Sequence, residues 1–137
     1  MQNVGTFQPE RLYTQIVGVV LLIWGILGLL IGEVVNLVNF ELVEDLLHII
    51  LGVVGVYLGF FNPELRLDRM FAQVSGALLL LLGILGMVDP TLFGLFALGL
   101  TPLDHAIHLV VGVIGLAIGF YYNTERIAAP GRLGRRI

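Results

Sequence analysis

Two short segments carry the side chains best suited to chemistry. The first reads Glu44-Asp45-Leu46-Leu47-His48 and the second Asp104-His105-Ala106-Ile107-His108. In each, an acid stands four residues before a histidine, a spacing that puts both on one helix face within side-chain reach. Imidazole and carboxylate together suit zinc, iron or copper. Glu44, His48, Asp104 and His108 are therefore candidate metal ligands, with His105 as a fifth donor whose counterpart in the first segment is Asp45. His48 and His108 are also candidate cofactor-binding residues, able to clamp a haem or chlorin between two helices.

The same residues allow plainer readings. Thr101-Pro102-Leu103-Asp104 has the order of a helix start, with threonine at the N-cap, proline at the first helical position and aspartate two residues further on. Glu44 holds the equivalent place in the first segment. Each histidine then lies one turn deeper, bonded to its own acid or across to a neighbouring helix. A histidine beside an acid can also change charge near neutral pH, yet glycine, valine, leucine and isoleucine follow it inward, and no polar path supports transport. An enzyme at the outer face using a histidine as base would lack an accompanying nucleophile. The chain has no cysteine and no lysine, which removes thiolate ligands, disulfides and Schiff-base chemistry.

The elements that must position these groups follow from composition. Hydrophobic residues make up 58% of the 137 and charged residues only 12%, with a mean hydropathy of +0.99; a soluble domain carries about twice that charge. Four apolar segments are each long enough for a bilayer core, which takes roughly 20 helical residues. They cover residues 12–32, 42–61, 70–88 and 102–122. Residues 1–11, 62–69 and 123–137 form an N-terminal segment, a connecting loop and a tail. The first segment is too long for a signal-peptide core and is read as a permanent helix. Arg11, Arg66, Arg69, Arg126, Arg132, Arg135 and Arg136 all fall on one side of these spans, whereas Glu33, Glu41 and Asp89 lie on the other. The positive-inside rule then places both termini and the middle loop in the cytoplasm of a cell-membrane protein. The outer loops, Val34 to Phe40 and Leu92 to Leu98, are apolar; they lie in the membrane interface, fold back over the bundle or extend the helices by a turn.

The second half repeats the first. Gln15, Gly18, Gly25 and Gly28 match Gln73, Gly76, Gly83 and Gly86 at an offset of 58, and His48, Gly52, Gly55, Gly59 and Phe60 match His108, Gly112, Gly115, Gly119 and Phe120 at an offset of 60. Because each copy enters from the same side and crosses twice, the copies are parallel repeats about a pseudo-twofold axis along the membrane normal. The expected fold is all-α: a polytopic membrane four-helix bundle of two helical hairpins with both termini inside. Gly18, Gly25 and Gly32 recur at seven residues, as do Gly52 and Gly59, Gly76 and Gly83, and Gly112 and Gly119. Each set lines one face, where small residues let helix backbones approach. A glycine face left over would serve self-association, giving a homo-oligomer or a place in a larger membrane complex.

Gln15 and Gln73 are placed to hydrogen-bond between the repeats. Trp24, Phe60-Phe61 and Tyr121-Tyr122 suit packing and interfacial belts, and the arginine tail suits anionic lipid or a disordered topogenic end. There is no basic stripe for nucleic acid. The stretch from Asp104 to Gly119 resembles a prokaryotic family of small four-helix membrane proteins catalogued as a domain of unknown function. Its motif is Asp-(Asn/His)-x-x-His-Leu-x-x-Gly-x-x-Gly, here Asp104, His105, His108, Leu109, Gly112 and Gly115; Glu44 and Asp45 in the first copy depart from it. The resemblance implies the fold and no substrate, cofactor or reaction. The expected role is that of a non-enzymatic membrane scaffold or accessory subunit in the lipid bilayer, with metal or tetrapyrrole binding as the alternative.

Overall fold

The computed structural model describes residues 7–31, 41–96 and 99–124. Among these it is all-helical, with α1 Pro9–Ile31, α2 Leu42–Val56, α3 Leu65–Val88 and α4 Pro102–Tyr121. The backbone of α2 continues through one wider π-helical turn, Tyr57–Phe61. All four helices are long and apolar enough to cross a membrane.

Helices α1 and α3 overrun the expected spans at their arginine-bearing ends. Pro9 opens α1 at a position where a missing N–H costs nothing. The Asn62 side chain accepts the Glu64 N–H at 2.8 Å, a local turn that shortens the connection to residues 62–64 and starts α3 before Arg66. At the acidic end α3 stops at Asp89-Pro90. The Asp89 carboxylate takes up the Thr91 N–H and hydroxyl at 2.9 and 2.7 Å, and these bonds hold it below the usual carboxylate range. Of the three forms open to the outer loops, residues 92–96 fold back. Phe96, Leu92 and Leu100 are buried together against Val43 and Leu82. Val34 to Phe40, Gly32 and the tail arginines from Arg126 onward lie outside the described residues.

Helix α1 packs chiefly on α2, and α3 on α4; the two hairpins meet mainly along α1 and α3. The duplication is visible contact by contact. A methyl on Gly18 would strike the backbone at Gly55, and one on Gly76 the backbone at Gly115. Gly52 faces Leu22 as Gly112 faces Leu80, and Gly25 faces Ile49 as Gly83 faces Leu109. Gly59 and Gly119 lie against Gln15 and Gln73. Every described glycine of these helical sets is thus used inside the chain.

The two hairpins also plug each other. Tyr13 of α1 fills the space at Gly115 of the second hairpin, and its repeat counterpart Phe71 fills the space at Gly55 of the first. Together with Val17, Leu21 and Ala72 they form the central core. The expected glutamine link between repeats is corrected. Gln15 donates to the Gly59 carbonyl and Gln73 to the Gly119 carbonyl, both at 2.8 Å. Each bond lies within its own hairpin, because the missing glycine side chain brings that carbonyl within reach of the neighbouring helix.

Candidate metal centre

The acid–histidine segments form the first turns of α2 and α4, at the end of the bundle opposite Arg11 and Asn62. The local sequences give these turns different starts. At α4 the Thr101 hydroxyl accepts the Asp104 N–H at 3.3 Å, while the Asp104 carboxylate takes the Thr101 N–H and hydroxyl, both at 2.7 Å. This is the capping box expected from Thr101-Pro102-Leu103-Asp104. At α2 the N-cap is Glu41, which makes no side-chain cap bond. Its carboxylate instead receives the Gly99 N–H at 2.6 Å, tying the first hairpin to the segment that leads into α4.

That difference frees Glu44. Its Oε1 lies 3.1 Å from His108 Nε2 on the other hairpin, and 3.9 Å from Nε2 of His48, its neighbour one turn on. Of the two pairings open to each histidine, with its own acid or across to a neighbouring helix, His108 makes the second. Asp104 is committed to its cap, and His48 is too far from Glu44 for a hydrogen bond. The two imidazoles converge, with ring centroids 5.9 Å apart at an interplanar angle of 62°. All three groups are buried, at 5% exposure for Glu44, 4% for His48 and 5% for His108. One ligand atom from each lies within 4.8 Å of the others.

Both ring nitrogens of His48 and Nδ1 of His108 are buried without a hydrogen-bond partner. Leaving a buried polar atom unsatisfied costs about 1–3 kcal/mol, so this arrangement favours an additional electron-pair acceptor or donor between the rings. The group lies at one end of a cavity of about 220 Å³ otherwise walled by apolar side chains including Trp24, Leu21, Leu79 and Val111. Asp104 also borders this cavity, through a carboxylate already occupied by Thr101.

His105 does not join the centre. Its ring lies against Gly86 of α3, as its counterpart Asp45 lies against Gly28 of α1. The two are the same notch filled twice, once by an imidazole and once by a carboxylate. Of the five candidate ligands, the structure gathers Glu44, His48 and His108, leaves Asp104 at the rim and turns His105 away.

A second polar cluster, at the arginine-bearing end, has no counterpart in the sequence reading. Arg11 donates to Asp68 Oδ2 from Nε and Nη2, both at 3.0 Å, and to the Asn62 carbonyl at 2.7 Å. Asp68 is wholly buried and also borders Thr14, whose hydroxyl donates to the Asp68 carbonyl at 3.2 Å. Glu10 receives the Thr124 N–H and hydroxyl at 2.8 and 2.7 Å. Continuing the 58-residue offset past Gln15 pairs Glu10-Arg11 with Asp68-Arg69, and that alignment is the signal that would have found them.

Compared with known proteins, the chain matches no family model, no curated protein and no solved structure.

Proposed function

We propose that this chain is a multi-pass membrane protein that binds a divalent transition metal through Glu44, His48 and His108. The observation that carries the proposal is the convergence, from two different hairpins, of three buried donor groups, with both nitrogens of His48 and Nδ1 of His108 left without a hydrogen-bond partner. Two imidazole nitrogens and a carboxylate oxygen form a donor set suited to zinc, and three protein ligands leave one position open. Tetrahedral ligands at zinc distances stand about 3.4 Å apart, so atoms within 4.8 Å of one another close on an ion by side-chain rotation. A tetrapyrrole suits the site less well. The cavity is smaller than the roughly 300 Å³ at which drug-sized pockets begin, and Glu44 stands at hydrogen-bond distance from the nitrogen that would serve as an axial ligand.

The protein sits in the cell membrane with Arg11, Arg66 and Arg69 on the cytoplasmic side and the metal centre near the outer face, the orientation favoured by the arginine distribution. A second reading, a ligand-free scaffold or accessory subunit, draws on the Glu44–His108 and Glu41–Gly99 contacts, which link the hairpins without any ion.

Metal analysis and an absorption spectrum of the detergent-purified protein, with zinc added and excess removed, separate the two. One equivalent of metal, lost in both His48→Ala and His108→Ala, supports the metal centre. A metal-free, colourless protein unchanged by either substitution would establish the scaffold instead. Reporter fusions at Arg66 and at the C-terminus test orientation; an outer-face signal from either would refute it.

A further inference from the structure

The duplication is also broken at the arginine-bearing end, and this break leaves a cation unpaired. In the first hairpin Arg11 bridges Asp68 and the Asn62 carbonyl. Under the repeat offsets its twin, Arg69, should bridge Glu10 and the Tyr122 carbonyl. It does not, because Thr124 has taken Glu10: one backbone N–H and one hydroxyl occupy both carboxylate oxygens. Among the described residues Arg69 makes no ion pair and no side-chain hydrogen bond.

Arg69 instead borders an open pocket of about 430 Å³ with Gln73, Gly119, Phe120, Tyr121, Tyr122 and Asn123. Tyr121 is exposed and Tyr122 half-exposed at the end of α4, where aromatic side chains sit at headgroup level in a membrane protein. Arg69 is a half-buried residue, and the planar fork of its guanidinium matches the oxygens of a phosphate. A half-buried arginine without a counter-anion beside tyrosines at the bilayer edge calls for an anion delivered from the bilayer itself.

We infer that Arg69 binds the phosphate of an anionic phospholipid on the arginine-bearing side, with the lipid chains running along the apolar surface of α3 and α4. Arg11 and Arg69 began as equivalents. One became an internal strut and the other a lipid contact, because the two copies continue differently after their second helices, into Pro63-Glu64 in one and Asn123-Thr124 in the other. This inference rests on the membrane reading but not on the metal centre.

The test is native mass spectrometry of the detergent-solubilised chain, titrated with phosphatidylglycerol and with phosphatidylcholine of the same acyl chains. The wild type should retain phosphatidylglycerol preferentially. Arg69→Gln should weaken that retention about fivefold, the worth of one arginine near an anionic surface. Arg69→Lys should restore part of it, and Arg66→Gln, on the same helix but exposed, should leave it intact. Equal retention of the two lipids, or equal losses in Arg66→Gln and Arg69→Gln, would overturn the site. Millimolar inorganic phosphate that binds at Arg69 and displaces phosphatidylglycerol would mark a soluble-anion site and overturn the lipid assignment. Recovery of the chain from the soluble fraction would refute the membrane reading itself, before any lipid is added.

Discussion

Replacing Gly18 by alanine sets helix propensity against interhelical distance. Alanine is better than glycine inside a helix by about 0.8–1.0 kcal/mol, so propensity alone predicts a more stable protein. Packing opposes it. The new methyl would stand 2.6 Å from the Gly55 carbonyl carbon and 2.7 Å from the Val56 nitrogen, both backbone atoms that no rotamer change can move. Ordinary contact starts at 3.4 Å, so α1 and α2 must part by about 0.8 Å, enough to forfeit a quarter to a half of the dispersion energy along the seam. The Gln15–Gly59 bond, now 2.8 Å, would stretch beyond useful length if the separation carried that far, at about 1 kcal/mol. Overpacking typically costs about 1–3 kcal/mol, and with the propensity gain of about 0.8–1.0 kcal/mol subtracted Gly18→Ala should be destabilising by up to about 2 kcal/mol. Gly76→Ala, whose methyl meets Leu116 N at 2.7 Å and Gly115 C at 2.9 Å, should cost slightly less. Reversible unfolding in mixed micelles, followed through the fluorescence of the single tryptophan, Trp24, reads both. A Gly18→Ala protein more stable than wild type would mean that the helix backbones are not in contact and would refute the zipped-hairpin architecture.

Three further outcomes follow from the asymmetry between the copies. Asp104→Ala should cost about 1 kcal/mol through loss of the capping box and leave bound metal unchanged, while Glu44→Gln should abolish or sharply weaken metal binding; metal titration alongside unfolding checks both. Arg11→Gln leaves the buried Asp68 carboxylate without its partner and should destabilise by about 3–5 kcal/mol, whereas Arg69→Gln, at the equivalent position, should change stability by less than about 0.5 kcal/mol. His105→Ala should retain metal at the wild-type stoichiometry, since that ring faces Gly86 rather than the centre; loss of metal on removing His105 would redraw the ligand set.

Much of this arrangement is legible in the sequence. Hydropathy marks the four helices, the recurrence of glycine marks the repeat, and Asp104 and His108 with their first-copy counterparts mark the end of the bundle where polar groups gather. What the sequence conceals is how two equivalent positions come to behave differently. Glu44 and Asp104 occupy matching places, yet a hydroxyl at the N-cap of α4 captures one carboxylate, and a glutamate at the N-cap of α2 leaves the other free to cross to His108. That choice is decided by a side chain three residues away, and its result by a contact some sixty residues distant. His105 is hidden for a related reason. It stands three residues before His108, and that step leaves it about sixty degrees around the helix from the centre's face, toward α3. Asp68 reads as part of a polar connection until the short turn at Asn62 draws it into α3 and under Arg11.

The exchange of aromatic plugs has a consequence for how the chain is divided. Tyr13 completes the packing of the second hairpin and Phe71 that of the first, so each half carries a hole shaped for a ring that only the other supplies. The halves are joined by residues 62–64 alone. Severing that bridge would give two fragments that are each incomplete and mutually specific, suited to reassembly as a split protein. The contact pattern is that of a dimer whose subunits have been fused end to end, and the co-expressed halves should therefore reassemble.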